Sequence, residues 1–64
     1  MREHVLINSG KFANRLGWYF FLSVWTEGAY IPLDEAASYG QAKRAAQEIA
    51  LEWGISDIRD EVSS

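Results

Sequence analysis

The alternation of side-chain types along this chain predicts a small sheet built around one central strand. Residues 17–25, Gly-Trp-Tyr-Phe-Phe-Leu-Ser-Val-Trp, are rich in aromatic and β-branched residues and contain no proline, which favours an interior strand. Successive side chains of a strand point to opposite faces. Both faces of this strand are apolar, and a chain of 64 residues with one good helix can cover only one of them.

A strand is predicted on each side of this segment. Residues 4–8 form a short apolar run that ends in an Asn-Ser-Gly turn signal. Residues 11–16 fit either a loop or a single helical turn that places Phe12 and Leu16 on one side. The Glu27-Gly28 pair predicts a two-residue hairpin loop, because glycine adopts positive φ without strain.

The hairpin loop also predicts a register and two sheet faces. A two-residue loop sets Val24 opposite Ile31 and Leu22 opposite Leu33. Pro32 has no N–H to donate to a neighbouring strand, so the returning strand, residues 29–33, should lie at an edge. One face is then aliphatic and the other is aromatic. The aliphatic face has Trp18, Phe20, Leu22, Val24, Ile31 and Leu33, and the aromatic face has Tyr19, Phe21, Trp25 and Tyr30.

One helix is predicted over residues 39–53. Ser38 followed by Gln41 has the form of a capping box, and Gly54 is placed to end the helix. An apolar stripe at helical spacing should dock on the aliphatic face, with Ile49 and Trp53 as its bulky contacts. The stripe comprises Ala42, Ala45, Ala46, Ile49, Ala50 and Trp53.

The order of elements indicates a single α+β domain over residues 1–64. Residues 55–62 favour a last strand, although Ser56 and Asp57 would also cap a short helix. The predicted order is β-β-β-α-β, a small antiparallel sheet of three to four strands with one helix packed on one face. No apolar run is long enough to span a bilayer, and we expect a cytoplasmic protein.

Composition and charge narrow the possible chemistry. The chain has no cysteine and one histidine, which excludes a thiol nucleophile and leaves His4 as an ordinary residue at the start of a strand. The acidic residues show no metal-ligand spacing, and the glycines form no phosphate-binding loop. We therefore predict no catalytic residues, no metal, no cofactor and no enzymatic activity.

The net charge of −3 is concentrated near the C-terminus. Such an acidic surface repels nucleic-acid phosphates and attracts basic proteins, although it also fits a merely solubilising surface. Residues 48–61 contain one cation, Arg59, and five acids: Glu48, Glu52, Asp57, Asp60 and Glu61.

Three interpretations of the aromatic face remain open. It is buried, either under Phe12 and Leu16 or in a two-fold homodimer. It is an interface anchor, since tryptophan and tyrosine dominate the binding energy of protein interfaces. Or it is a stacking platform for single-stranded nucleic acid, which would need cations such as Lys43 and Arg44.

The outline of residues 17–60 resembles several very small, acidic phage anti-CRISPR proteins. The similarity comprises the hairpin closed at Glu27-Gly28, the alanine-rich helix of residues 41–54 that ends in Trp-Gly, and the short apolar segment after it. It implies a non-catalytic phage or mobile-element inhibitor that binds a CRISPR effector complex and blocks target DNA, often by placing carboxylates where phosphates would lie. The family has no shared binding motif, so it assigns no residue roles.

We therefore expect a protein that binds the basic surface of a nucleic-acid-binding effector complex, without direct contact to nucleic acid or membrane. The alternatives are a nucleic-acid-binding accessory domain that uses the aromatic face with Lys43 and Arg44, or a structural homodimer. The predicted protein-binding residues are Tyr19, Trp25, Tyr30, Glu48, Glu52, Asp57, Asp60 and Glu61.

Overall fold

The computed structural model describes residues 2–11 and 17–62, which form four strands and one helix. The elements follow the predicted order and confirm the α+β class. They are β1 (His4–Gly10), β2 (Tyr19–Thr26), β3 (Ala29–Ala36), α1 (Tyr39–Trp53) and β4 (Ile58–Asp60). The prediction for residues 12–16, with Phe12 and Leu16, lies outside the described residues.

The sheet has the strand order β3-β2-β1-β4, so the aromatic strand β2 is an interior strand as predicted. β1 and β3 both pair with it in the antiparallel sense. β4 instead runs parallel to β1, which makes the sheet mixed rather than wholly antiparallel. The helix supplies the crossover that brings the chain back for a parallel pairing.

The hairpin forms at the predicted loop, but its register shifts farther along. Glu27 and Gly28 both have positive φ, 51° and 81°, as the favoured two-residue hairpin turns require. Val24 lies opposite Ile31 as expected. The prediction for Leu22 is wrong, because a bulge inserts one extra residue and sets Leu22 opposite Asp34.

The strand β3 also runs farther than the sequence indicates. Residues 34–36, which lie beyond the predicted strand of residues 29–33, continue the pairing with β2 as far as Ala36. Pro32 lies in this strand at the edge of the sheet, as its missing N–H requires. The bulge therefore lets an edge strand of eight residues follow the twist of β2.

The helix has both predicted ends. The Ser38 hydroxyl accepts a hydrogen bond from the Gln41 N–H at 3.2 Å, and Gly54 ends the helix in the left-handed conformation with φ 68°. Three small residues of the stripe are buried against the sheet: Ala42, Ala46 and Ala50. Because alanine has a short side chain, the helix axis lies close to the strands.

The core lies between α1 and the aliphatic face, as predicted. Ile49 packs against it, but Trp53 is a substantially exposed residue outside the core cluster, which corrects the prediction that it is a main contact. Three of the six residues predicted for the aliphatic face are also exposed rather than in the core: Trp18, Ile31 and Leu33. The buried core residues are Val5, Ile7, Leu22, Val24, Ala42, Ala46, Ala50 and Ile55.

Candidate functional site: an aromatic cluster on the face away from the helix

The side of the sheet opposite α1, which we call the distal face, carries the predicted aromatic residues. Tyr19, Phe21 and Trp25 are half-buried there, and Tyr30 is 42% exposed. Because successive side chains of a strand point to opposite faces, these aromatic residues lie on the other face of the sheet from the core residues Leu22 and Val24. The aromatic side chains of the distal face are thus partly buried and partly accessible to solvent.

Three rings meet at one end of this face and form what we call the distal cluster: His4, Trp25 and Tyr30. The pairing of β1 with β2 sets His4 opposite Trp25, and the hairpin sets Trp25 opposite Tyr30. The rings of Trp25 and Tyr30 meet edge to face with centroids 4.8 Å apart. His4 stacks near Trp25 at 6.2 Å and meets Tyr30 edge-on at 5.5 Å.

His4 is fully buried at the base of the cluster and both ring nitrogens have partners. Nδ1 lies 2.9 Å from the carbonyl oxygen of Arg2, which can only accept, so Nδ1 carries a proton. Nε2 lies 2.7 Å from the hydroxyl of Tyr30, which donates to it when the ring is neutral. His4 therefore fixes the orientation of Tyr30 from below.

Sequence reasoning missed this role of His4, because the local pattern indicates only an ordinary residue at the start of a strand. The signal was present in the alternation of β1, where His4 shares a face with Leu6 rather than with the core residues Val5 and Ile7. The burial of His4 becomes predictable only once β1 is paired with β2 and His4 is opposite Trp25.

Two acids that were not among the predicted site residues lie at the same end of the sheet. Glu3 precedes His4 and its carboxylate accepts a hydrogen bond from the hydroxyl of Thr26. Glu27 is in the exposed hairpin turn directly after Thr26. Both acids are therefore at the end of the sheet that carries the distal cluster, although strand alternation puts the side chains of Thr26 and Glu3 on the helix side, where Arg2 also lies near Gly54.

The structure separates the predicted site residues into several places. Tyr19 lies opposite Gly10, at the other end of β2 from Trp25, about 20 Å away along the strand. Glu48 and Glu52 are exposed on α1, on the other side of the sheet from the distal cluster. Of the predicted set, Trp25 and Tyr30 are in direct ring contact.

The remaining predicted acids surround β4, and two of them have partners. The Asp57 carboxylate lies 3.4 Å from Nε of Arg59. Asp60 accepts hydrogen bonds from the hydroxyl of Tyr39 and from the N–H of Val62. Glu61 is exposed, and its backbone N–H donates a hydrogen bond to the carbonyl oxygen of Ile7. These acids therefore include groups that join β4 to the rest of the fold.

The contact between α1 and β4 at Tyr39 predicts a pH dependence. Hydrogen bonds from Tyr39 and Val62 lower the pKa of Asp60, and the bond to Asp60 raises the pKa of Tyr39. Asp60 thus adds stability above about pH 4, and this is lost as the pH falls through its lower folded pKa. The Tyr39 contribution is full below about pH 10 and is lost as the pH rises through its raised folded pKa.

Urea unfolding of the wild type and of Asp60→Asn between pH 2 and pH 7 measures the Asp60 effect. The wild type should be slightly more stable at neutral pH, and the two midpoints should converge in acid. A difference between the two urea midpoints that stays constant from pH 2 to pH 7 would contradict a role for the ionised carboxylate of Asp60.

A second prediction concerns the hydrogen bond between Tyr30 and His4. Tyr30→Phe leaves the buried Nε2 of His4 without its donor and should lower the free energy of unfolding by about 1–3 kcal/mol. Tyr39→Phe is the matched control, because it removes a hydroxyl whose partner Asp60 is exposed. Chemical denaturation of both variants measures the difference, and equal losses would contradict the assignment.

Comparison of the chain with models of protein families, with curated proteins and with solved structures finds no match. None of the helices among residues 2–11 and 17–62 has the length and apolarity needed to cross a membrane. The same residues contain no group of three or more acidic or histidine side chains placed to hold a metal ion.

Proposed function

We propose that this chain is a non-catalytic phage or mobile-element inhibitor that binds a CRISPR effector complex through its distal face and blocks target DNA. The observation that carries the protein-binding part is the distal cluster, in which Trp25 and Tyr30 present partly exposed rings on a rigid base formed by His4. Aromatic anchors held in one orientation lose little conformational entropy on binding.

Charge supports a partner with a basic surface. The chain carries a net charge of −3, and Glu3 and Glu27 lie at the end of the sheet where the distal cluster is formed. Complementary charge raises the association rate and selects among partners. A channel that binds DNA is lined with lysine and arginine, and the resemblance to small acidic anti-CRISPR proteins motivates the choice of effector.

The nucleic-acid alternative is less well supported by the placement of its cations. Lys43 and Arg44 are on α1, which covers the other side of the sheet from Trp25 and Tyr30. A stacking platform needs its aromatic rings and its positive groove on one surface. We therefore place protein binding ahead of nucleic-acid binding.

A gel-shift experiment with purified components tests the proposal. The protein alone should shift neither duplex nor single-stranded DNA, and it should prevent a guide-loaded effector complex from shifting its target. Reversal of Glu27 to lysine should weaken the inhibition, whereas reversal of the exposed Asp34 in β3 is the matched control for net charge. A DNA shift by the protein alone, or no effect on any CRISPR effector type, would refute the proposal.

A further inference from the structure

Among residues 2–11 and 17–62, strand β4 pairs with one neighbouring strand, β1. Two backbone hydrogen bonds flank this pairing. The N–H of Val5 donates to the carbonyl oxygen of Asp57 at 2.9 Å, and the N–H of Glu61 donates to the carbonyl oxygen of Ile7 at 2.9 Å. Backbone groups of alternate residues point to opposite sides of a strand. The N–H and C=O of Ile58 therefore face away from β1, toward a side on which no strand of the described residues lies.

An apolar groove of about 330 Å³ lies beside this open edge. Its lining includes Ala50, Leu51 and Ile55 from the end of α1 and the residues after it, and Ile58 from β4. Leu51 is 85% exposed and Ile58 is 38% exposed, so both walls offer apolar surface to solvent. A groove between a helix and an open strand edge suits the addition of an extended segment to the sheet.

The other edge of the sheet is protected against such pairing. β3 contains Pro32 and pairs with β2 through a bulge, and both features disfavour an added strand. β4 contains no proline, and its three residues limit an added strand to a short segment. Of the two edges, β4 is the one with both open backbone groups and a neighbouring groove.

The charge around the groove defines the kind of segment that fits. The residues from 47 to 61 contain a single cation, Arg59, whose Nε lies 3.4 Å from the carboxylate of Asp57. The same stretch carries five acids and has a net charge of −4. Lys43 lies near Asp60, and Arg2 lines an adjoining hollow with Gly54, Ile55 and Ser56, so the surface keeps five acids against three cations. A basic segment complements this surface, and an acidic segment would be repelled. The acids are Glu48, Glu52, Asp57, Asp60 and Glu61.

We infer that this groove binds an extended, basic segment of a partner protein, which adds a short strand to β4 and places one apolar side chain between Leu51 and Ile58. The backbone of the segment bonds to the outward groups of Ile58 and Asp60, and its lysine or arginine side chains lie near the acids. This inference rests on the protein-binding function proposed above, and it assigns a second contact surface on the side of α1.

The test uses the full chain labelled with ¹⁵N and an eight-residue peptide in which lysine alternates with valine and leucine. NMR titration should shift the amides of Ile58 and Asp60 and slow their hydrogen exchange, with a Kd below about 1 mM. Leu51→Glu should weaken binding about tenfold or more, and Leu33→Glu on the opposite edge is the matched control. A peptide N-methylated at every second residue, which removes the donors that would face β4, should bind equally weakly.

Each contrary result has a definite meaning. If the two amides are unchanged at 1 mM peptide, no strand is added and the inference fails. If their protection rises with protein concentration in the absence of peptide, a second copy of the chain occupies the edge. If Trp25→Ala abolishes binding of the peptide while Leu51→Glu does not, the peptide sits on the distal face, which refutes the groove but leaves the proposed function standing. Peptide binding without any effector binding would refute only the choice of effector.

Discussion

Replacing Trp25 by alanine is expected to weaken binding to the partner on the order of thirtyfold, which corresponds to about 2 kcal/mol. Trp25 is the central ring of the distal cluster, in contact with both His4 and Tyr30. Its removal takes away an anchor and also the surface against which Tyr30 is held. Titration of a purified effector complex with the labelled variant measures the loss.

Trp53→Ala is the matched control for this prediction, because Trp53 is an exposed tryptophan at the end of α1, outside the core cluster. The affinity of the Trp53→Ala variant for the effector complex should stay within about threefold of that of the wild type. Because Trp25 also packs on buried His4, circular dichroism must show that each variant is folded at the temperature of the titration. Equal losses for the two tryptophans would contradict an anchor on the distal face.

Leu22→Ala should lower the free energy of unfolding by about 2–5 kcal/mol. Leu22 is fully buried between β2 and α1, where alanine leaves a cavity that the closely packed helix cannot easily fill. A domain of this size has a total stability of only about 3–10 kcal/mol. Urea unfolding at 25 °C should therefore find the midpoint of the variant at a much lower urea concentration than that of the wild type.

Leu33→Ala is the control for that measurement. Leu33 is exposed and is itself the extra residue at the bulge in β3, although the simple hairpin register predicts it opposite Leu22. Its replacement should cost less than about 1 kcal/mol. Similar losses at the two leucines would mean that they share the core, as an unbulged hairpin would require.

The parts of the fold set by local chemistry could be predicted from the sequence. Glycine at position 28 and the capping residues Ser38 and Gly54 act within a few residues of where they stand, so the hairpin and both helix ends are found where their signals lie. The alternation in β2 similarly assigns Leu22 to the core. Each of these features depends on backbone geometry that a short stretch of chain determines.

The features that depend on pairing between distant segments could not be predicted. Neither the bulge at Leu33 nor the parallel direction of β4 has a signal of its own, because an extra residue or a strand direction is settled by the neighbouring strand. The burial of His4 also depends on strand pairing, since it requires Trp25 opposite His4 on β2 and Tyr30 opposite Trp25 on β3. A polar residue near a terminus gives no such indication alone.

The candidate site was predicted in part. The hairpin register correctly joins Trp25 with Tyr30, because those residues are close to the loop that sets the register. Tyr19 shares their face but lies at the far end of the strand, which alternation alone does not reveal. The grouping of acids by position in the sequence missed Glu3, which the pairing of β1 with β2 brings beside Thr26.

The most direct test of the central claim is a tagged pull-down from bacterial cells that express CRISPR effector complexes, with mass spectrometry of the recovered proteins. The wild type should recover an effector subunit in near-stoichiometric amount, Trp53→Ala should do the same, and Trp25→Ala should recover much less. Recovery of only the chain itself, or of nucleic acid, would contradict the inhibitor proposal. The distal cluster would then be assigned to a homodimer or to base stacking.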